Sequence, residues 1–230
     1  MPFFIDMNYV LIVMIPSLII SGLAQMWVRS AFRKWSETRN GAGMSGVEVG
    51  ERIRRAAGLN AVSFESVAGT MTDHFDPQGN IVRMSQDVAT RPSVASMAIV
   101  AHELGHAQQY QESSPLIAMR SFLVPAMRFS PMVSYALILM GVLFNATGLI
   151  TLGGLFFAVV VLFMLLTLPV EFDASRRGLK LLEQANLLTA PQDGQGSRQM
   201  LTAAAMTYVA AFVSSLLTLL YYISILQNRN

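Results

Sequence analysis

Four apolar runs, each long enough to cross a bilayer as a helix, limit what this chain can become. They lie at about residues 7–27, 122–144, 149–170 and 203–226. A spanning helix needs roughly 20 apolar residues, because no water in the hydrocarbon can satisfy an open backbone. In a chain of 230 residues, such runs leave only two modest polar segments, 28–121 and 171–202. Charged residues make up 13% of the sequence and hydrophobic ones 53%, where a soluble domain is about a quarter charged. The expected fold class is therefore mainly α: a multi-pass membrane protein with about four transmembrane helices and a small α+β region. Residues 1–230 are expected to form a single membrane-embedded domain.

The same composition excludes several functions. A net charge of +2 and the lack of a basic stripe interleaved with aromatics argue against nucleic acid. With no Cys, neither a disulfide framework nor a thiolate metal site can form. The run from Met7 to Trp27 reads as a retained anchor rather than a signal peptide. No Lys or Arg precedes it, and it exceeds the usual apolar signal core. Trp27 closes it where an indole favours the interface.

Between the first two runs the signals shorten. Asn40-Gly41-Ala42-Gly43 is a breaker, and Ser45-Gly46-Val47-Glu48 caps a short helix through Val49, Ile53 and Ala57. Val62 to Val67 alternates as a strand does. Asp76-Pro77-Gln78-Gly79-Asn80 is turn chemistry, followed by a second short strand, Ile81 to Ser85. Arg91-Pro92-Ser93 opens a helix with Pro in its first turn, which runs through Met97 and Val100 into residues 102–106. Asn145-Ala146-Thr147-Gly148 joins the second and third spans as a hairpin. Glu171 to Ala185 continues the third span as a helix, and Pro191 to Ser197 reads as a polar loop.

Charge sets the orientation. Ten or more Lys and Arg residues lie between the first and second spans, and Arg176, Arg177, Lys180 and Arg198 lie between the third and fourth. The positive-inside rule places both segments in the cytoplasm and both termini outside. Residues 46–112 and 171–185 can then build one site on one side of the bilayer.

The chemical signal is His102-Glu103-Leu104-Gly105-His106. Positions four apart share a helix face, so both imidazoles can reach one metal. Zinc suits imidazole, and a catalytic zinc keeps a position for water. Glu103, offset around the helix, can act on that water as general base, while one Zn2+ lowers the water's pKa and polarises the scissile carbonyl. The alternative is a chance match on an ordinary amphipathic helix, but two of the chain's three histidines fall in the pattern, and Ser96 to Ala101 is the apolar helix such motifs usually sit on. Gly105 allows close packing at the site. For the third ligand, Glu171 leads His74 and Asp173, since a carboxylate at a membrane boundary is costly unless paired or coordinated. The bland alternative for Glu171 is a solvated helix start.

The sequence resembles the YugP-type neutral zinc metallopeptidases, a bacterial membrane family. The matching segments are Thr72-Asp73-His74-Phe75-Asp76-Pro77, Ala101-His102-Glu103-Leu104-Gly105-His106-Ala107-Gln108-Gln109, Leu168-Pro169-Val170-Glu171-Phe172-Asp173-Ala174-Ser175-Arg176-Arg177, and Thr207-Tyr208-Val209-Ala210-Ala211. The resemblance runs from Gly46 to the fourth span. It implies a gluzincin-like site in a bacterial inner membrane, with Glu171 as third zinc ligand. Membrane relatives of that type carry an Asp where Ser175 stands, and the family usually carries Asn where Asp173 stands.

Weaker candidates remain open. His74 either serves substrate or site, or belongs to a turn. Ile81 to Ser85 is either an edge strand that pairs with an extended peptide or a plain structural strand. Tyr208 or Arg176 can stabilise an oxyanion, against packing for Tyr208 and solvation for Arg176. Three functions compete. A membrane metallopeptidase would cleave peptides or membrane-protein substrates. A zinc-stabilised scaffold would hold a membrane partner, but would not need Glu103. A transporter would place its ligands inside the spans, whereas the motif helix follows a polar segment.

Overall fold

The computed structural model describes residues 7–227. It is mainly helical, with a small three-stranded mixed sheet. Four stretches are long and apolar enough to cross a membrane: Met7–Glu37, Pro115–Leu143, Thr147–Gln184 and Pro191–Gln227. The first comprises α1 (Met7–Tyr9), a π-helical turn (Val10–Met14) and α2 (Ile15–Glu37). The other three are α6 (Pro115–Leu143), α7 (Thr147–Gln184) and α8 (Pro191–Gln227). The shorter elements between α2 and α6 are α3 (Gly46–Ala56), β1 (Ser63–Val67), β2 (His74–Asp76), β3 (Ile81–Ser85), α4 (Gln86–Thr90) and α5 (Val94–Gln111).

Each spanning helix outruns its apolar core. Pro125 and Pro131 lie inside α6, and Pro169 lies inside α7. Residues 191–197, expected as a loop, are instead the first turns of α8. Pro191 suits a first helical position, where its missing N–H costs nothing. Asp193 is fully buried and accepts from the backbone N–H groups of Thr189 (3.0 Å), Ala190 (2.8 Å) and Gly41 (2.9 Å). The polar tail expected after the fourth span runs into residues 228–230, outside the described residues, as does the start of the chain at 1–6.

The chain divides into two compact units. One comprises Met1–Gln25, Ala118–Pro169 and Met206–Asn230. Its core holds Val13, Ile138, Tyr221 and Tyr222, with Phe157 packed against them. The α6–α7 turn is tight, with Asn145 at φ 52. A Cβ at Gly153 would stand 2.6 Å from Ile138, and one at Gly141 would stand 2.6 Å from Ile150. These glycines let the two helices approach closely, as small residues do in membrane bundles. Phe122, Phe129, Met132 and Phe144 are exposed, an outward surface that suits lipid chains.

The other unit comprises Met26–Ile117 and Val170–Ala205. Its sheet has the order β1-β3-β2. β1 runs parallel to β3, with Phe64 opposite Val82, and β2 runs antiparallel, with Phe75 opposite Val82. Ile81 to Ser85 is thus the central strand and cannot take an added peptide, because both its edges are already paired. The edge positions fall to β1 and β2. Ser45 caps α3 in a full capping box with Glu48. Ser93 caps α5 by accepting from the Ser96 N–H at 3.1 Å, so Pro92 precedes the cap rather than sitting in the first turn. Met97, Val100, Ala101 and Leu104 of α5 are fully buried against Val49, Ile53, Leu181 and Leu182. Burial of that order, about 1.5–3 kcal/mol per large side chain, fixes the rotation of α5 and hence the direction its histidines face.

Candidate metal centre

Two helices build the centre. On α5, His102 and His106 are four residues apart and present their rings on one face, with centroids 4.8 Å apart at 82°. On α7, Glu171 follows Val170 just past the apolar run. The helices meet closely because two glycines lie between them. A Cβ on Gly105 would fall 2.4 Å from the carbonyl oxygen of Ala174, and one on Gly178 would fall 2.9 Å from the backbone of Ala101.

Glu171 Oε2 lies 3.4 Å from His102 Nε2 and 3.5 Å from His106 Nε2. The three ligand atoms all fall within 4.8 Å of one another. Atoms bound tetrahedrally at about 2.0–2.1 Å from zinc stand roughly 3.3–3.5 Å apart. The spacing of Glu171 to both histidines therefore fits one zinc ion. The burial agrees. Glu171 is 3% exposed, and its Oε2 has no hydrogen-bond partner among the described residues. A buried carboxylate that faces two neutral imidazoles is expensive, and a cation between the three would remove that cost.

The outer nitrogens of both rings are engaged. His102 Nδ1 lies 3.2 Å from Ser175 Oγ, and His106 Nδ1 lies 3.0 Å from Gln109 Oε1. An Nδ1–H donated outward leaves Nε2 as the lone-pair nitrogen, the form a metal ligand needs. Ser175 stands where the resemblance implies Asp, and its hydroxyl faces His102 Nδ1. Burial disfavours charge on His106, yet its pKa is raised, because Glu171 and Glu103 favour the protonated ring.

Glu103 is 8% exposed. Its Oε2 accepts from the backbone N–H of Phe75 at 2.8 Å, which ties it to the outer edge of β2. The Phe75 ring meets Tyr110 of α5, centroids 5.6 Å apart.

The remaining candidates lie outside this group of three. His74 lies in β2, exposed, with Nδ1 2.8 Å from the carbonyl oxygen of Thr72, and is not one of the three residues grouped so that they could hold a metal ion. Asp173 accepts from Gln109 (2.9 Å), Arg177 (2.6 Å) and Arg176 (2.5 Å). Arg176 is 79% exposed. Tyr208 belongs to the other compact unit. Two participants escaped the sequence reading. Gln109 carried a faint signal, three residues after His106 and so on the same face. The Phe75 amide, a backbone group, carried none.

Long apolar helices and a His-Glu-x-x-His helix opposed by a downstream Glu define a class, the membrane proteins built as zinc metallopeptidases. The chain belongs to the family described as "Putative neutral zinc metallopeptidase", whose model matches residues 10–227. It is 38% identical over 214 residues to "Putative membrane protease YugP" of Bacillus subtilis (strain 168), covering 93% of this chain and 95% of that protein. No solved structure matches.

Proposed function

We propose that this chain is a membrane-bound zinc endopeptidase, that His102, His106 and Glu171 hold the ion, and that Glu103 is the general base. Its substrates are membrane-associated or cytoplasm-facing polypeptides, and residues 1–230 act as one membrane-embedded metallopeptidase domain. The observation that carries the reading is the pair of 3.4 and 3.5 Å separations between Glu171 Oε2 and the two Nε2 atoms, beside a buried carboxylate on the next residue of the motif.

Zinc bound there supplies a Lewis acid that makes water nucleophilic near neutral pH and polarises a peptide carbonyl. The protein residues do the rest. Glu103 takes a proton from the attacking water on a carboxylate oxygen and passes it to the leaving amine. The Phe75 N–H orients that carboxylate. Gln109 and Ser175 hold the histidine rings by their outer nitrogens. β2, an edge strand of the sheet, lies beside Glu103, where an extended peptide would dock.

The test is metal analysis of the purified protein together with cleavage of casein or a peptide by wild type and Glu103→Gln. The variant should keep its zinc and lose about a hundred- to ten-thousand-fold in rate. Equal cleavage by the two, in an assay shown to depend on this protein, would end the peptidase reading.

A further inference from the structure

We infer that Gln109 is a positioning residue for the metal, acting through His106 and through the helix that carries Glu171. The inference rests on the zinc reading above and extends it to a residue outside the ligand set.

Gln109 is fully buried, with 0% exposure. Its Nε2 donates to the carbonyl oxygen of Val170 at 3.0 Å and to Asp173 Oδ2 at 2.9 Å. Both partners are acceptors only, so the NH2 end of the amide must face them, and the amide has one orientation. Its Oε1 then faces His106 Nδ1 at 3.0 Å and can only accept. That makes Nδ1–H the donor and leaves Nε2 free for metal. One side chain thus sets the tautomer of a ligand on α5. It also grips α7 at the residue before Glu171.

The fixture has an outer brace. Asp173 is held by Arg177 Nε at 2.6 Å and by Arg176. Arg177 reaches back to α5 through Glu112 at 2.7 Å and Gln108 at 3.2 Å. Arg177, Asp173 and Gln109 therefore join the two ligand-bearing helices in a continuous network ending on a ligand ring. Contacts of this kind typically change metal affinity 10- to 100-fold when removed.

Two substitutions in the full-length, detergent-purified protein separate positioning from simple space filling. Gln109→Met keeps length and apolar fit but removes both hydrogen-bonding functions. Gln109→Glu keeps an acceptor for His106 Nδ1–H but puts a charge at a fully buried position beside Asp173. If Gln109 merely fills space, Met is the better tolerated of the two. If it positions the ligand, zinc affinity measured by chelator competition should fall in the order wild type, Glu, Met. The Met variant should lose 10- to 100-fold, and the visible absorption of its cobalt-loaded form should change. Its metal-free form should unfold near the wild-type temperature. Should Met not fold, Glu alone decides. A loss of about tenfold, from the two donated bonds to α7 that Glu cannot make, supports the inference, and wild-type affinity in a folded Glu variant overturns it. Zinc affinity in Met equal to or above that in Glu also overturns it. Failure of the wild type to bind zinc would instead remove the metal reading itself.

Discussion

The backbone N–H of Phe75 donates to Glu103 Oε2 at 2.8 Å, so a strand edge and the proposed general base share a hydrogen bond. In an antiparallel pair, a residue's N–H and C=O point to the same side. The Phe75 amide turned toward Glu103 therefore faces away from β3, and the Phe75 carbonyl is turned to that same outer side.

This relationship gives the first prediction. Phe75→Pro removes the amide hydrogen at an edge position, where Pro is tolerated because no ladder bond is lost. Phe75→Ala removes the ring but keeps the amide. A hydrogen bond to a charged group is worth about 1.5–3 kcal/mol. The turnover rate of the Pro variant should thus fall roughly 10- to 150-fold below that of the Ala variant. Rates that agree within a factor of two would mean that the amide does not position Glu103.

The ligand assignment separates two candidates. Glu171→Ala should bring zinc content well below wild type, a larger loss than the roughly 10- to 100-fold expected from removing a supporting contact. His74→Ala should leave zinc content unchanged, since that exposed ring lies in β2, outside the grouped ligands. Metal analysis of both purified variants decides it, and the reverse pattern would make His74 the ligand.

Close approach of α5 and α7 can be tested without touching a polar group. Gly105→Ala would put a methyl 2.4 Å from the Ala174 carbonyl oxygen. Both neighbours are helix backbone and cannot yield as a flexible side chain would. Overpacking of this kind costs about 1–3 kcal/mol, and the resulting separation should also weaken zinc binding. A variant with wild-type unfolding temperature and zinc affinity would show that the helices do not meet there as described.

The motif was legible because its spacing of four fixes a helix face whatever surrounds it. Glu171 stood only a little ahead of His74 and Asp173 by its place at a membrane boundary, and it was the resemblance that singled it out. Three features were not legible. β2 has only three residues, too few for alternation to show, and Asp-Pro beside it reads as turn. The polar start of α8 contains Gly194 and Gly196, which signal a loop. Packing overrides that propensity, since a Cβ on Gly196 would come 2.5 Å from the Trp35 ring. Gln109 looked like one more polar residue at a helix end, because its role depends on an α7 carboxylate 64 positions away.

The last prediction concerns the side from which substrates come. α7 continues unbroken from its apolar stretch through Glu171 to Gln184, and a helix rises about 1.5 Å per residue. Glu171, directly after the apolar run, therefore stands close to the end of its span. An ion held by Glu171 would lie near that membrane boundary too. The basic residues at 28–121 and 171–202 favour a cytoplasmic location for that boundary. Substrates would then be membrane proteins, or juxtamembrane segments opened locally into strand form, rather than freely diffusing folded proteins. Because the chain has no native Cys, single probes report without background. Cys at Ser113 and at Gln195 should resist an impermeant thiol reagent in intact cells and react after lysis. Cys at Asn230 should react in intact cells once the reagent is able to cross the outer layers. Labelling of Ser113 or Gln195 from outside would overturn the orientation, and with it the assignment of cytoplasm-facing substrates.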